Sequence, residues 1–433
     1  MELYEHQKEA LSLTQDHNRC AYYYDMGLGK TFIGSEKLKQ LGARVNLVVC
    51  QKSKVDDWVE HFKENYHIVP FDLTKENSLI GFLRWNNGQP EYISIPQCVG
   101  IINYDLIWRR KELLKLTDFT LMLDESSLIT NPSANRSKFI LELNPTNVIL
   151  LSGTPTAGKY EKLWSQLQLL GWNISEDAFW KSYVDYEWVD RNGYWDKKVN
   201  GYKNVDHLKR KLGKFGAIFK KTEEVMDLPE QIEQMIYLEA DKKYKFFQKN
   251  HYVEMWKGPY RDPIELIGDT VLTRILYERQ LCGQYSLDKL DVFKDLVEST
   301  EDRLIVFYNF TEELNRMEEL VDKLRPISIV NGQVKDLMAY DMFDNSITFV
   351  QFQAGAYGLN LQKANKIIYF SLPLGIGSCD LWEQSKKRIH RIGQEKTCFY
   401  YYLLVKDSIE MWNLELLKTG KELTDELFNQ KDL

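Results

Sequence analysis

The stretch Ala21–Thr31, AYYYDMGLGKT, constrains this chain more than any other. A short aromatic run reads as a strand and two glycines break it. A lysine and a threonine then open a periodic segment (Phe32, Ile33, Lys37, Leu38, Leu41) that reads as a helix. Strand, glycine turn and helix in that order suit a phosphate. Gly27 and Gly29, flanking Leu28, let the backbone turn tightly enough to aim N–H groups at phosphate oxygens, and the helix beginning near Lys30 adds the positive end of its dipole. Lys30 would reach the β- and γ-phosphates of a nucleotide and Thr31 would hold Mg²⁺. The general pattern asks for a glycine five residues before Gly29, where Tyr24 stands. On this stretch alone, a glycine turn that merely joins strand to helix stays open.

Length decides how much machinery can accompany such a loop. A chain of 433 residues with 44% hydrophobic content can bury two or three cores. Its apolar runs are short of the roughly 20 residues that span a bilayer, and MELYEHQKEA lacks a basic-then-apolar leader pattern, so no membrane partner and a cytoplasmic location are expected. Six scattered cysteines form no CxxC pair or metal-ligand cluster and read as buried free thiols. A net charge of −7 argues against a surface that binds nucleic acid everywhere, so any DNA site must be a patch.

Apolar runs recur after the loop at Val45–Cys50, Val99–Asn103, Thr120–Leu123 and Val148–Leu151, with helical patterns between them. Strand alternating with helix means a parallel sheet covered on both faces, with ligands at the carboxyl ends of the strands. There stand Asp124 and Glu125, a pair suited to a Mg²⁺-nucleotide site: Asp124 for the metal, Glu125 for the attacking water. A solvated Asp-Glu turn is the plain alternative. Ser152 and Thr154 follow the last run on a tight turn. Gln7, before the loop, could read an adenine edge or could simply be solvated.

From Lys159 to about Gly283 the pattern is amphipathic and helical with many aromatics (Trp164, Trp172, Phe179, Trp180, Tyr183, Trp188, Trp195), expected to be helical core. Lys197–Lys221 is dense in lysine and arginine, Lys209, Arg210 and Lys211 at its centre, with Asp206 its one acid. It is a candidate phosphate-backbone contact, or else a solvated helix face paired with acids elsewhere. A second alternation comes at Leu304–Tyr308, Ile327–Val330, Ile347–Phe352, Lys366–Phe370 and Phe399–Val405. It has no phosphate loop, but Gly355 and Gly358 come after a strand, and Arg388 and Arg391 stand three apart, on one face if the segment is helical. Such a pair could act as arginine fingers or form surface salt bridges. The expected division is residues 1–158, an ATP-binding lobe; 159–288, a helical insertion and connector; and 289–433, a second lobe.

Taken in order, these motifs resemble the superfamily-two helicase-like ATPases, and among them the Swi/Snf-type double-stranded-DNA translocases. DMGLGKT looks like motif I, VVCQKSKVDDWVEHF (48–62) like the segment ending in a tryptophan and an acidic helix, INYDLI (102–107) like motif Ib, LDESS like motif II and LSGTPT like motif III. KKTEEVMDLPEQIE (220–233) is similar to the signature near the lobe junction. VFYNFTEEL, QAGAYGLNLQKANKIIYF and QSKKRIHRIGQ resemble motifs IV, V and VI. The resemblance implies an α/β fold of two tandem RecA-like parallel-sheet lobes. It also implies a DNA-dependent ATPase using ATP and Mg²⁺. Lys30 and Thr31 would bind phosphate and metal, Asp124 and Glu125 the metal and water, and Gln7 adenine. Arg388 and Arg391 would be fingers from the second lobe with Gln384 beside them, and Ser152, Thr154, Gly355 and Gly358 would lie on the path that couples ATP to DNA. Two departures matter: Ser127 stands where many relatives have histidine, and Asn365 where an aspartate is common. The expected function is a translocase on DNA, gripped mainly by phosphates, that works as a compact, monomeric phage or mobile-element motor with separately encoded replication or recombination partners. A strand-separating DNA or RNA helicase and a non-catalytic DNA-binding scaffold are the alternatives.

Overall fold

The computed structural model describes residues 3–66, 68–87, 97–156, 158–191, 194–225, 227–255, 264–321, 323–355, 359–375, 377–391 and 393–428. The chain divides into two compact units, Met1–Met226 with Glu422–Leu433, and Asp227–Lys421.

The first unit is built on a seven-stranded sheet in the order β3-β4-β2-β5-β6-β1-β9. Its strands are β1 (Arg19–Tyr24), β2 (Val45–Cys50), β3 (Val69–Asp72), β4 (Cys98–Asn103), β5 (Phe119–Asp124), β6 (Asn147–Ser152) and β9 (Ala217–Lys220). Every neighbouring pair is parallel. Both faces are covered, because alternate residues of one strand enter different cores: Ala21 and Tyr23 pack in one cluster, Cys20, Tyr22 and Tyr24 in the other. That is why these strands read as continuous apolar runs. Helix α1 (Glu5–Leu13) precedes the sheet, α2 (Lys30–Leu41) comes after β1, and α3 (Val55–Asn65) after β2. A side chain at Gly34 on α2 would collide with Leu151 and Met122, so the helix that opens on the loop lies tight against β5 and β6.

The second unit repeats the plan: seven strands in the order β10-β18-β17-β13-β16-β14-β15. These are β10 (Gln231–Leu238), β13 (Leu304–Tyr308), β14 (Ile327–Val330), β15 (Lys335–Asp336), β16 (Ile347–Gln351), β17 (Lys366–Tyr369) and β18 (Cys398–Val405). All pairs are parallel except β14 with β15. Again two clusters flank the sheet, Ile305 and Phe307 in one and Leu304, Val306 and Tyr308 in the other. The two expected parallel-sheet lobes are therefore present, and all six cysteines are buried free thiols.

The segment expected to be helical differs. The described residues of 159–288 hold helices but also six strands: β9 completes the first sheet, β10 edges the second, β11 (Tyr252–Met255) and β12 (Ile264–Ile267) form one antiparallel ribbon, and β7 (Val184–Arg191) and β8 (Tyr194–Tyr202) another. Charged and polar residues interrupt the ribbon strands and β10, and β9 is only four residues long, which hides them in a search for apolar runs. Trp164, Trp172 and Trp180 do pack against the first core, whereas Trp188 and Trp195 do not: they are 56% and 69% exposed on the β7–β8 ribbon. Among the described residues no helix is long and apolar enough to cross a membrane.

Candidate nucleotide site

β1 delivers the chain to the loop and α2 carries it away. Gly27 (φ +86°) and Gly29 (φ +72°) both take the left-handed conformation open to glycine, and Gly29 caps the N-terminus of α2. A Cβ at Gly29 would also run into the amide of Gln7. Lys30 is the first residue of α2, and its Nζ donates to the Tyr24 carbonyl (2.7 Å) and the Asp25 carbonyl (3.1 Å). Its ammonium thus lies back along the loop. Thr31 stands in the first helical turn, where a hydroxyl, open N–H groups and the dipole all favour an anion or a phosphate-bound cation.

Two braces hold this loop. From the N-terminal side, His6 Nε2 donates to the Leu28 carbonyl (3.0 Å), and Gln7 Nε2 lies 3.4 Å from that oxygen and 3.5 Å from the Gly29 carbonyl. Gln7 is 2% exposed and its Oε1 accepts from the Tyr4 N–H (3.0 Å), so its amide is committed to the loop rather than simply solvated. From the other side, Asp25 Oδ2 accepts from both the N–H and the hydroxyl of Thr222 (3.1 Å each), while the Asp25 N–H donates to the Lys220 carbonyl (3.0 Å). Neither His6 nor the Asp25–Thr222 brace is visible in the sequence, since nothing in one sequence shows that residues almost two hundred apart meet beside β1.

β5 lies two strands from β1, with β6 between, and ends at Asp124. Asp124 Oδ2 accepts from the Trp58 indole of α3 (2.8 Å). Glu125 then turns the chain at φ +62°, an uncommon conformation for a residue with a side chain. The Tyr104 hydroxyl holds that turn, within reach of the carbonyls of Asp124 (3.0 Å) and Glu125 (3.3 Å). Glu125 Oε1 accepts from the hydroxyls of Ser152 (2.9 Å) and Ser127 (3.1 Å), and Ser152 Oγ in turn accepts from the Thr154 N–H (3.1 Å). The Ser126 hydroxyl and that of Tyr23 both donate to Gln166 Oε1 (2.8 and 3.0 Å), whose Nε2 reaches the Pro155 carbonyl (2.6 Å). The Glu125 carboxylate is therefore linked to the turn after β6 through the Ser152 hydroxyl, and Ser127 adds a second hydroxyl to the same oxygen.

Burial pushes both carboxyls above their ordinary values: for Asp124 the Trp58 indole and then Lys30 oppose it, and for Glu125 Lys30 opposes it while Asp124 adds to it. Among the described residues neither has an ion-pair partner within salt-bridge reach, so this pair calls for a cation from outside. No described cluster of three or more His, Cys, Asp or Glu could hold a metal by itself. The donor set of one threonine hydroxyl and one aspartate beside an anion-binding helix end suits Mg²⁺ shared with phosphate oxygens and water.

In the second unit, the helix Ser378–Lys386 stops before the arginines. Arg388 and Arg391 are not on one helical face. They lie on the turn beyond it, because Gln394 Nε2 gathers the carbonyls of Gln362 (3.1 Å), Ala364 (2.8 Å) and Ile389 (3.1 Å) and Gly393 adopts φ +91°. Arg388 is buried and donates through Nη1 to the Leu359 carbonyl (3.0 Å). Arg391 keeps a buried Nε with no partner among the described residues, and burial lowers its guanidinium from its ordinary value. Gln384 is buried, with its Oε1 unpartnered among the described residues. Asn365 donates to the Thr397 carbonyl (2.9 Å) within this unit. Gly355 ends the short helix Phe352–Gly355, and Gly358 lies outside the described residues. Of the three central basic residues on the helix Val205–Lys214, Lys209 is buried and so is not offered to a phosphate, Lys211 lies over the Trp172 ring (5.7 Å), and Arg210 is exposed.

A glycine loop on a parallel sheet, a lysine at its helix, and paired carboxylates two strands away define a nucleoside-triphosphate-binding α/β protein. Comparison with known proteins sharpens that class: residues 6–287 match the SNF2-related domain and residues 288–393 the helicase conserved C-terminal domain, and the chain belongs to the SNF2-related family. It is 23% identical over 362 residues to the putative ATP-dependent helicase/translocase YwqA of Bacillus subtilis, covering 74% of this chain and 37% of that protein. It is 25% identical over 426 residues to the DNA annealing helicase and endonuclease ZRANB3 of Bos taurus, covering 92% of this chain and 38% of that one. The Sulfolobus solfataricus SWI2/SNF2 ATPase core in complex with dsDNA matches with a TM-score of 0.44 at 18% identity, over 99% of this chain and 93% of that chain. The chain spans between 26% and 60% of the length of the first curated relatives it matches.

Proposed function

We propose that this chain hydrolyses ATP with Mg²⁺ and uses the cycle to move along DNA. The observation that carries the reading is the Glu125 carboxylate held by Ser152 and Ser127 at the same sheet edge as Lys30. In the proposed reaction Lys30 shifts from the loop carbonyls to the β- and γ-phosphates. Thr31 and Asp124 would hold Mg²⁺, which would supply positive charge to the phosphate oxygens. Glu125 orients the attacking water and takes its proton, while the two serine hydroxyls keep its second oxygen, Oε2, directed at that water. Arg388 and Arg391 are proposed to supply positive charge to the γ-phosphate in the course of the cycle, and Gln7 to contact the adenine. Nucleotide then favours one conformation by differential affinity and hydrolysis releases it, which is sufficient to drive stepwise movement.

DNA as the track is supported by family membership and by relatives named as a helicase/translocase and a DNA annealing helicase. Contacts mainly to phosphates imply little sequence preference and steep salt dependence. The test is ATP turnover with and without blunt duplex DNA in wild type and Lys30→Ala. A rise on adding duplex in wild type alone is the expected result; equal, DNA-indifferent turnover in both proteins sinks the reading. A forked-substrate unwinding assay separates a translocase from a strand-separating helicase.

A further inference from the structure

Three neighbouring strands of the first sheet, in the order β5-β6-β1, each end in a piece of the candidate site. β1 runs into the glycine loop and Lys30, β5 into Asp124 and Glu125, and β6 into Ser152 and the turn that carries Thr154. The ladder between them sets Tyr23 beside Ser152 and Asp124 beside Leu151, and there it stops. Beyond that line the mutual placement of the three ends depends on side chains.

Gln166 touches all three. Its Oε1 accepts from the hydroxyl of Tyr23 on β1 (3.0 Å) and from that of Ser126, the residue after Glu125 (2.8 Å), while its Nε2 donates to the carbonyl of Pro155 on the turn beyond β6 (2.6 Å). A carbonyl oxygen can only accept, so the amide nitrogen must face Pro155 and both hydroxyls must donate. One constraint thus orients the whole cluster. Gln166 is fully buried, on the helix Trp164–Leu169, whose Leu167 and Leu169 enter the first core. That helix is pinned in turn: the Trp164 indole donates to the Ile174 carbonyl (2.9 Å), and Arg19 Nη1 donates to the Leu169 carbonyl (2.7 Å). The amide is therefore mounted on a fixed element.

An apolar side chain at 166 would have extended that core without burying an amide. The amide is satisfied only when the three strand ends stand in one arrangement, and a satisfied buried network stiffens what it joins. Stiffness is needed here, because Glu125 turns at φ +62° and such a conformation persists only where its surroundings over-determine it. Tyr104 holds the carbonyls of that turn, Ser152 and Ser127 hold its carboxylate, and Gln166 holds the residue that leaves it. We propose that Gln166 is a positioning residue for hydrolysis, keeping the Glu125 carboxylate aligned with the nucleotide loop and with the Ser152 turn; this rests on the reading of the site as one that hydrolyses ATP. The loop keeps braces of its own in His6 and Thr222, so nucleotide affinity does not depend on Gln166. The rate of the chemical step does.

The test compares wild type, Gln166→Leu, Gln166→Leu/Tyr23→Phe/Ser126→Ala and Tyr23→Phe/Ser126→Ala by thermal melting, by titration with a fluorescent ADP analogue and by ATP turnover on blunt duplex DNA. Gln166→Leu strands two buried hydroxyls and a carbonyl, so it should melt lower. Its turnover should fall about a hundredfold with nucleotide affinity unchanged, because a displacement of about 1 Å at the reacting groups is enough for such a loss. The triple variant removes both stranded hydroxyls, so its melting temperature should climb back toward wild type while its turnover stays low. An amide that served the fold alone would not separate the two readouts. Tyr23→Phe/Ser126→Ala deletes two oxygens and no carbon, needs no repacking, and should still lose at least about tenfold in turnover. Turnover that recovers together with melting temperature in the triple variant, or wild-type turnover in the double variant, overturns the positioning role while the ATP-hydrolysis reading stands. Wild type that turns over no ATP overturns both.

Discussion

Each unit encloses two carboxylates at the ends of its parallel strands or just beyond, and the two pairs are treated in opposite ways. In the second unit Glu410 lies against Lys289 (2.6 Å), which is itself fully buried, and its other oxygen accepts from the Val405 N–H (2.9 Å). Glu313 accepts through one oxygen from the N–H groups of Asn309 (2.9 Å) and Phe310 (3.1 Å) and from the Ser371 hydroxyl (2.8 Å). That pair is wired into the fold. Asp124 and Glu125 of the first unit have an indole and two hydroxyls instead, and among the described residues no salt-bridging cation. Burial raises all four carboxyls from their ordinary values, with Lys289 opposing the rise at Glu410. Similar enclosure therefore serves two ends: at Glu410 the charge is answered by Lys289, and at Glu313 one oxygen is answered by three donors while Oε1 has no partner among the described residues, whereas at Asp124 and Glu125 the charge is left for a ligand to answer.

Substitutions can break this contrast. The largest stability effect is expected at Lys289→Met, which leaves Glu410 buried and unpaired and should cost about 3–5 kcal/mol in chemical denaturation. Loss under 1 kcal/mol would mean the pair is not structural. Trp58→Phe leaves Asp124 Oδ2 without its donor, at a cost of about 1–3 kcal/mol in the absence of nucleotide. Its apparent Mg²⁺ requirement for nucleotide binding, read by titration, should rise, and an unchanged requirement would separate Trp58 from the metal site. Glu125→Gln should go the other way: the amide oxygen still accepts from Ser127 and Ser152, the enclosed charge is gone, and the ligand-free protein should gain roughly 1 kcal/mol, read as a rise of a few degrees in melting temperature. A comparable gain at Glu410→Gln would erase the distinction between the pairs.

The smallest effect is the pH slope. The folded-state values of Asp124 and Glu125 lie above their unfolded ones, so over that interval the folded protein binds more protons. Stability is highest below the unfolded values and is lost as pH rises through the folded ones. Denaturation curves across the acid range should show that loss in ligand-free wild type and a shallower one in Glu125→Gln. Identical slopes would show that Glu125 ionises freely.

Periodicity accounts for the parts of the fold that were legible in the sequence. The long apolar runs became strands because a parallel sheet buried on both faces leaves its strands without polar interruptions, and the glycine loop became a strand-to-helix turn because Gly29 supplies a left-handed backbone where α2 begins. The ends of those runs mark Asp124, Glu125 and Ser152. The ribbons were not legible, since charged residues alternate along their strands, and β9 was not because it is only four residues long and its partner β1 lies almost two hundred residues away. Trp188 and Trp195 read as core because aromatic content does not reveal on which side of a strand a ring will stand. Arg388 and Arg391 read as helical because their spacing is helical, but Gln394, folding back on three carbonyls, ends the helix sooner. The bracing of Asp124 by Trp58 and of the Glu125 turn by Tyr104 joins segments that no local pattern connects.

The central claim is that Glu125 is held for catalysis rather than for the fold. It is tested most directly by ATP turnover in wild type and Glu125→Gln, each with and without duplex DNA, alongside nucleotide affinity. The account predicts DNA-stimulated turnover in wild type, and in the variant a loss of about a thousandfold with nucleotide affinity and folding retained. A variant that turns over ATP at the wild-type rate, or that loses activity only because it unfolds, would contradict it.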